Sequence, residues 1–177
     1  MHHSTDPASL SSVVAMGLSG FVPAAVVPAV LMLARRSPLW QRVSVPAGVA
    51  LPLLVLLHAG VVLGGLPHDG LPGGAWVSEP VLLAAAVLFW IPVLARTRHR
   101  LGDAGRCLYL FLAAPLLDLP AVGVVAAGQP AQGIAMIAGM LPIGVAAAAI
   151  TWSWANREER LAARTLVPSP EGGPHAP

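Results

Sequence analysis

The sequence predicts an all-α membrane protein, a polytopic transmembrane helix bundle of five helices with its N-terminus outside and its C-terminus in the cytoplasm. Of the 177 residues, 56% are apolar and only 10% are charged, and the mean hydropathy is +0.74. A soluble domain of this size needs more charge to cover its surface, whereas a bundle surrounded by lipid does not. The distribution of arginine between the apolar stretches then predicts the orientation.

Five apolar segments are each near the length of about 20 residues that a helix needs to cross a bilayer, although the third is shorter. No water in the hydrocarbon can satisfy an open backbone, so each segment is predicted to be helical. The segments run from Leu10 to Ala34, Val43 to Leu66, Glu79 to Ala95, Ala104 to Gly128 and Ala131 to Trp154. Residues 1–9 are then an outer tail, residues 10–156 the membrane domain, and residues 157–177 a cytoplasmic charged helix end with a disordered Pro/Gly-rich tail.

All ten basic side chains are arginine, and they lie in alternate gaps between the apolar segments, at the very start of the fourth segment (Arg106) or in the C-terminal tail. Short loops rich in arginine stay on the cytoplasmic side, so the intervening loops are predicted outside. The basic loops suit an anionic cytoplasmic leaflet, and the sequence pI of about 9.5 therefore indicates no nucleic-acid partner. The arginines are Arg35, Arg36 and Arg42; Arg96, Arg98, Arg100 and Arg106; and Arg157, Arg160 and Arg164.

Proline, glycine and alanine recur inside the segments and predict kinked helices that pack closely. Each internal proline frees a carbonyl one turn earlier, and a neighbouring helix or water has to satisfy that carbonyl. Small residues let helix backbones approach each other. The sequence Ser78-Glu79-Pro80 is predicted to begin the third helix. Four tryptophans are predicted near the water interfaces: Trp40, Trp76, Trp152 and Trp154.

Asp118 is the acid that lies deep inside an apolar segment. Counted from the predicted outer end of the fourth helix, it is about 15 Å deep. A buried carboxylate is costly unless it is protonated, paired or bound to a cation, so intramembrane acids are usually functional. The structural alternative is a protonated Asp118 that donates to the carbonyl of Leu116, which Pro120 leaves without its helical donor.

His58, Met136 and Met140 lie at depths comparable to that of Asp118, in the second and fifth segments. Imidazole binds transition metals and paired thioethers select Cu(I), so these four residues are the candidate metal ligands. We expect them to line a shared polar pocket that opens to the outside. Each also has a simpler explanation, because a lone histidine often bonds to a neighbouring helix and methionine fills gaps in apolar cores.

Other groups carry less chemistry. The single cysteine, Cys107, excludes an internal disulfide and is interpreted as a small apolar residue. The terminal Met1-His2-His3 sequence is a weak Cu(II) chelator, and His68 in the outer loop is explained by solvation. With no nucleophile and base pair, P-loop or dinucleotide fingerprint, the sequence does not predict an enzyme.

A resemblance to a known family covers about residues 79–164, half of the chain. Its motifs follow a familiar order: Leu88-Phe89-Trp90-Ile91-Pro92, Cys107-Leu108-Tyr109-Leu110-Phe111, Asp118-Leu119-Pro120, the stretch from Gly133 to Pro142, Trp152-Ser153-Trp154 and Arg157-Glu158-Glu159-Arg160. Together they resemble the C-terminal half of the CtaG-type cytochrome c oxidase assembly factors, which are polytopic bacterial membrane proteins associated with copper delivery. Members are usually longer and have histidines near the outer helix ends, whereas here Pro80-Val81-Leu82 follows Glu79.

The resemblance implies a multi-pass protein of the bacterial plasma membrane that binds or relays copper, or holds a nascent oxidase subunit, on the outer side. Its expected partners are the lipid bilayer, cytochrome c oxidase subunits and copper-handling membrane proteins. Two alternatives stay open: a small-solute or ion permease subunit that uses Asp118 as a proton or ion relay, and a purely structural membrane partner.

Overall fold

The computed structural model describes residues 7–34, 45–64, 74–95 and 100–165, and within these ranges it contains helices and short connections but no strand. A π-helical turn, Val22–Val26, joins the first two helices into one span. The described residues then contain five spans that are long and apolar enough to cross a membrane, which confirms the predicted all-α class and the number of spans. The helices are α1 (Pro7–Phe21), α2 (Val27–Ala34), α3 (Ala47–Gly64), α4 (Gly74–Leu94), α5 (Asp103–Ala126) and α6 (Pro130–Thr165).

The predicted bounds hold for most spans, and one predicted helix start is wrong. The first span, Leu10–Ala34, has the predicted limits. Helix α4 begins at Gly74 rather than at Ser78, and Pro80 lies inside it. The helix extends backwards because a proline near a helix start removes only one backbone donor. Helix α6 continues to Thr165, as predicted for a charged helix end, and the tail from Pro168 lies outside the described residues.

The five spans form a closed ring. The first span packs against α4 through α2, α4 packs against α3, and α3 packs against α5. Helix α5 then packs along α6, and α6 returns to the first span through α1. Each span therefore has two neighbours, and side chains from all five can meet at the centre of the ring.

Glycines set the closest helix crossings in this ring. A Cβ atom at Gly139 of α6 would collide with the backbone oxygen of Gly17 in α1. A Cβ at Gly20 would lie 3.0 Å from the oxygen of Met136. At the next crossing, a Cβ at Gly133 would lie 2.7 Å from the oxygen of Ala121 in α5. Close packing through small residues, as the sequence predicts, is thus confirmed at both contacts of α6.

Hydrogen bonds and ion pairs identify the two ends of the bundle. At one end, which we call the outer end after the orientation that the arginines predict, Gln132 of α6 donates to the hydroxyl of Ser12 in α1, with 3.3 Å between the two atoms. At the other, which we call the arginine-rich end, Asp103 of α5 pairs with Arg157 of α6 and, at 3.5 Å, with Arg106. The alternation of helices between these ends matches the alternation of arginines in the sequence.

Three aromatic side chains of the arginine-rich half form the aromatic cluster: Phe89, Trp90 and Tyr109. Phe89 stacks on Tyr109 with 5.0 Å between ring centroids and meets Trp90 edge to face at 5.3 Å. All three side chains are buried. The hydroxyl of Tyr109 donates to the carbonyl of Phe89 at 3.0 Å, so the cluster also ties α5 to the backbone of α4.

The π-helical turn shows how a neighbouring helix satisfies a carbonyl that proline leaves free. The N–H of Val27 donates to the oxygen of Val22, which leaves Pro23 to bond one residue further along. That residue is Pro28, which has no N–H. The indole N–H of Trp90 donates to the oxygen of Pro23 instead, at 2.8 Å. The expected interhelical donor is therefore a tryptophan from α4.

Candidate functional site

A pocket of about 460 Å³ is lined by all five spans, and several of its lining residues on the first span and α4 are exposed. We call it the central pocket. Its volume falls within the range of about 300–1,000 Å³ that is typical of small-molecule sites. Most lining side chains are apolar, so the predicted polar pocket is observed as a mainly apolar one. Contributions from the five spans include Val22, Leu54, Phe89, Leu117 and Ile143.

The pocket extends from near the outer end of the bundle to its middle. Glu79 and Phe89 both line it and are ten residues apart on α4. At 1.5 Å per residue, they are separated by about 15 Å along the helix axis. Glu79 is exposed, whereas Phe89 belongs to the buried aromatic cluster. The carboxylate therefore marks the outer mouth of the pocket and the aromatic cluster marks its floor.

His58 is the buried polar side chain of this pocket. Its ring lines the pocket, only 3% of the residue is exposed, and its Nε2 atom has no hydrogen-bond partner. A buried nitrogen without a partner is costly, by about 1–3 kcal/mol. Because His58 lines the pocket and its Nε2 has no protein partner, the imidazole has the chemistry to donate to a ligand or to bind a metal ion.

The two predicted methionine ligands lie in different environments. Met140 lines the pocket, whereas Met136 is fully buried and is not among the lining residues. The backbone of Met136 lies at the close crossing of α1 and α6, next to Gly20. Residues four apart share a helix face but differ by about 40° and 6 Å. At this narrow crossing, that difference separates the two side chains.

Asp118 does not line the pocket. The preceding residue, Leu117, does so, and consecutive residues point about 100° apart around a helix. Asp118 is partly exposed, and its Oδ1 atom is buried without a hydrogen-bond partner. The predicted bond from a protonated Asp118 to the carbonyl of Leu116 stays a prediction. Of the four predicted ligands, the pocket brings together His58 and Met140.

Two polar residues of the pocket, Glu79 and Ser19, were not predicted as site residues. Glu79 was predicted only as the outer boundary of the third span. The signal in the sequence that could have identified it as a site residue is an acid in the first turns of an apolar segment. The hydroxyl of Ser19 donates to the carbonyl of Met16 at 2.7 Å, so its oxygen can still accept a bond. Nothing in the sequence distinguishes Ser19 from other small residues of the first span.

Metal-binding potential in the described part of the chain is limited to small donor sets. No group of three or more His, Cys, Asp and Glu side chains in those residues could hold a metal ion. Cys107 is buried in α5 near the arginine-rich end, as predicted. His2, His3 and His68 lie outside the described residues. His58 and Met140, an imidazole and a thioether, are thus the donors that share a pocket.

Comparison of the chain with known protein families, with curated proteins and with solved structures finds no match. The five-span fold and the pocket are properties of the chain itself. A functional proposal therefore has to begin from the chemistry of His58, Met140 and Glu79 and from the sequence resemblance described above.

Proposed function

We propose that this protein is an assembly factor of the bacterial plasma membrane, similar in role to the CtaG-type cytochrome c oxidase assembly proteins. It binds Cu(I) as cargo in the central pocket and passes it to an oxidase subunit or a copper-handling membrane protein on the outer side. The observation that carries this proposal is that His58, with its unpartnered Nε2, and Met140 line one pocket. The protein works by docking and ligand exchange, not by catalysis.

The donor chemistry of the pocket supports Cu(I) more than harder cations. Thioether sulfur is a soft ligand that selects Cu(I), and imidazole suits copper as well. Calcium and magnesium prefer several oxygen ligands, which this mainly apolar lining does not supply. The carboxylate of Glu79 at the mouth attracts cations toward the pocket. A site with few protein ligands also suits a carrier, because it leaves positions for the ligands of a recipient.

The permease alternative assigns the central role to Asp118 as a proton or ion relay. The buried, unpartnered Oδ1 atom of Asp118 supports it. However, a relay for a path through the ring needs to face the central pocket, and Asp118 is not among the lining residues. A purely structural role in helix packing leaves the unpartnered nitrogen of His58 without an explanation.

Purified protein in mild detergent separates these functions. We expect close to one Cu(I) per chain in competition with a chromophoric Cu(I) chelator, and the same affinity in Asp118→Asn. A permease predicts the reverse pattern, with little Cu(I) bound and with proton or solute flux in vesicles that Asp118→Asn abolishes. Absence of Cu(I) binding by the wild type would rule out the copper proposal.

Deletion of the gene tests the assembly role in cells. We expect cytochrome c oxidase activity to fall, and excess copper to restore part of it, because external supply bypasses an inefficient delivery step. Complementation with the wild-type gene is the control. Normal oxidase activity in a deletion strain that has no redundant homologue would contradict the assembly role, and copper binding by the purified protein would then need another explanation.

A further inference from the structure

Asp118 belongs to a stripe of residues on α5 that faces away from the ring. Residues seven before, three before, four after and seven after it lie on the same helix face. All four are exposed: Phe111, Pro115, Val122 and Val125. The exposed fraction is 54% for Phe111 and 55% for Val122. We call these five residues the Asp118 stripe. Phe111, Pro115 and Val122 lie on the outside of the described part of the bundle, whereas Val125 also packs against Gly133 of α6 and Asp118 is only partly exposed.

This stripe contains polar groups that lipid cannot satisfy. Asp118 is eight residues from the outer end of α5 at Ala126, a depth of about 12 Å. Its Oδ1 atom has no partner, and a carboxyl group at such a depth is costly without one. Pro115 has no N–H, so the carbonyl of Phe111 also loses its helical donor. Asp118 Oδ1 is itself buried, but the residue is partly exposed, and hydrocarbon chains offer no donor to the exposed part of the residue or to the Phe111 carbonyl, whereas a protein helix can.

We propose that the Asp118 stripe binds a transmembrane helix of another protein, and that this helix carries a lysine, arginine or histidine at the depth of Asp118. Charge complementarity selects this occupant, because a cationic donor pairs with the carboxylate and offsets part of the cost of its burial. The flanking exposed apolar residues supply the packing surface on both sides of the pair.

A second copy of this chain does not provide the required cation. Its sequence contains no lysine, and nine of its ten arginines lie in the gaps between spans or in the C-terminal charged helix end. The tenth, Arg106, lies in the first turn of α5 at the arginine-rich end, where it pairs with Asp103, far from the depth of Asp118. Within the described spans, the histidine at a comparable depth is His58, which faces the central pocket. The partner is therefore a different chain. This inference does not depend on copper binding, because the stripe and the pocket lie on different faces of α5.

Designed transmembrane peptides test the proposal with the wild-type protein itself. The full chain, labelled with a donor fluorophore, is reconstituted in phosphatidylcholine vesicles with acceptor-labelled Leu/Ala helices. Three peptides differ in one residue at the depth of Asp118, which is Lys, Leu or Glu. We expect the Lys peptide to bind about tenfold more tightly than the Leu peptide, the size expected for a polar contact between membrane helices. The Glu peptide should bind no better than the Leu peptide.

Variants then locate the contact. Asp118→Asn should bring the Lys and Leu peptides to within about twofold of each other. Photocrosslinkers at Val122 should capture the Lys peptide, whereas crosslinkers at Val145, which is 67% exposed on α6, should not. Equal binding of the Lys and Leu peptides would overturn the proposal even if Asp118→Asn fails to fold. Self-association that depends on Asp118 and excludes the peptide would overturn it in favour of a second copy.

Discussion

In the arginine-rich half of the bundle, the indole of Trp90 and the hydroxyl of Tyr109 each donate to a backbone carbonyl. In the outer half, His58 Nε2 and Asp118 Oδ1 are buried and have no partner within the described residues. The two halves have the same helices and a similar apolar composition. Both halves have a polar contact between helices at their ends, Gln132 to Ser12 in the outer half and Asp103 to Arg157 in the other. They differ in their buried polar side chains, which bond to backbone carbonyls in the arginine-rich half and have no partner at His58 Nε2 and Asp118 Oδ1 in the outer half.

The comparison separates stability from binding. In the arginine-rich half, each of these two hydrogen bonds goes to the carbonyl of a residue that is a proline or lies near one. The same aromatic side chains stack between α4 and α5, so they also add to the packing. In the outer half, the unpartnered groups lower the stability of the isolated chain. A ligand or partner that bonds to them recovers this free energy as binding affinity. His58 lines the pocket, whereas Asp118 does not line it and is partly exposed on α5. The arginine-rich half thus stabilises the bundle, and the outer half carries the groups that are available to bind a ligand or a partner.

The largest expected effect concerns which half faces outside. Single cysteines introduced at His68 and Gly70, in a background with Cys107→Ser, should react with a membrane-impermeant maleimide in intact cells. Cysteines at Arg42, Arg100 and Arg160 should react only after permeabilisation, because arginine-rich loops stay in the cytoplasm. Labelling of an Arg100→Cys variant in intact cells would invert the orientation and place the pocket mouth at the cytoplasmic face.

Truncation of the aromatic cluster should have the largest effect on stability. Trp90→Ala removes a buried side chain and leaves the carbonyl of Pro23 without a donor, so we expect a loss of about 3 kcal/mol. Thermal unfolding in detergent, followed by size-exclusion chromatography, measures it. Trp152→Ala is the matched control, because Trp152 is 72% exposed and its removal should cost little. Equal losses in the two variants would contradict the structural role of the cluster.

The sequence predicted the depth of a side chain along its helix better than the direction in which that side chain points. The ends of the first span, the alternation of arginines and the need for a donor near each proline all follow from local rules. Trp90 as the donor to Pro23 does not follow, because the two residues are 67 positions apart and the pairing depends on which helices become neighbours. The predicted start of α4 was wrong because Ser78 has the pattern of a helix cap, whereas the helix begins earlier and tolerates Pro80 in its interior.

The candidate site shows the same limit. His58, Asp118, Met136 and Met140 were selected by depth, which counting along a helix gives directly. Their directions depend on the ring order of the spans, and in helices that are apolar on all sides the sequence has no period that identifies the inner face. His58 and Met140 therefore line the pocket, while Asp118 does not line it and Met136 lies in a helix crossing.

Replacement of His58 should separate stability from binding within one residue. His58→Leu removes a buried nitrogen that has no partner, so stability should stay the same or rise by up to about 1 kcal/mol. Cu(I) affinity should fall at least about tenfold, because the variant loses one of two soft or intermediate donors. Thermal unfolding and chelator competition on the same preparation measure the two effects. A loss of stability comparable to that of Trp90→Ala would show that His58 is a packing residue.

The smallest expected effect on stability comes from the two methionines, and they form a matched pair. Met136→Leu and Met140→Leu each conserve volume and apolarity, so each should cost less than about 1.5 kcal/mol. They should differ in Cu(I) affinity, which is lowered by Met140→Leu and unchanged by Met136→Leu, because only the thioether of Met140 lines the pocket. Chelator competition on both variants makes the comparison. If both variants lose affinity equally, the four-residue site predicted from depth is the better description; if neither does, Cu(I) is not held by thioether sulfur and the pocket binds through His58 alone.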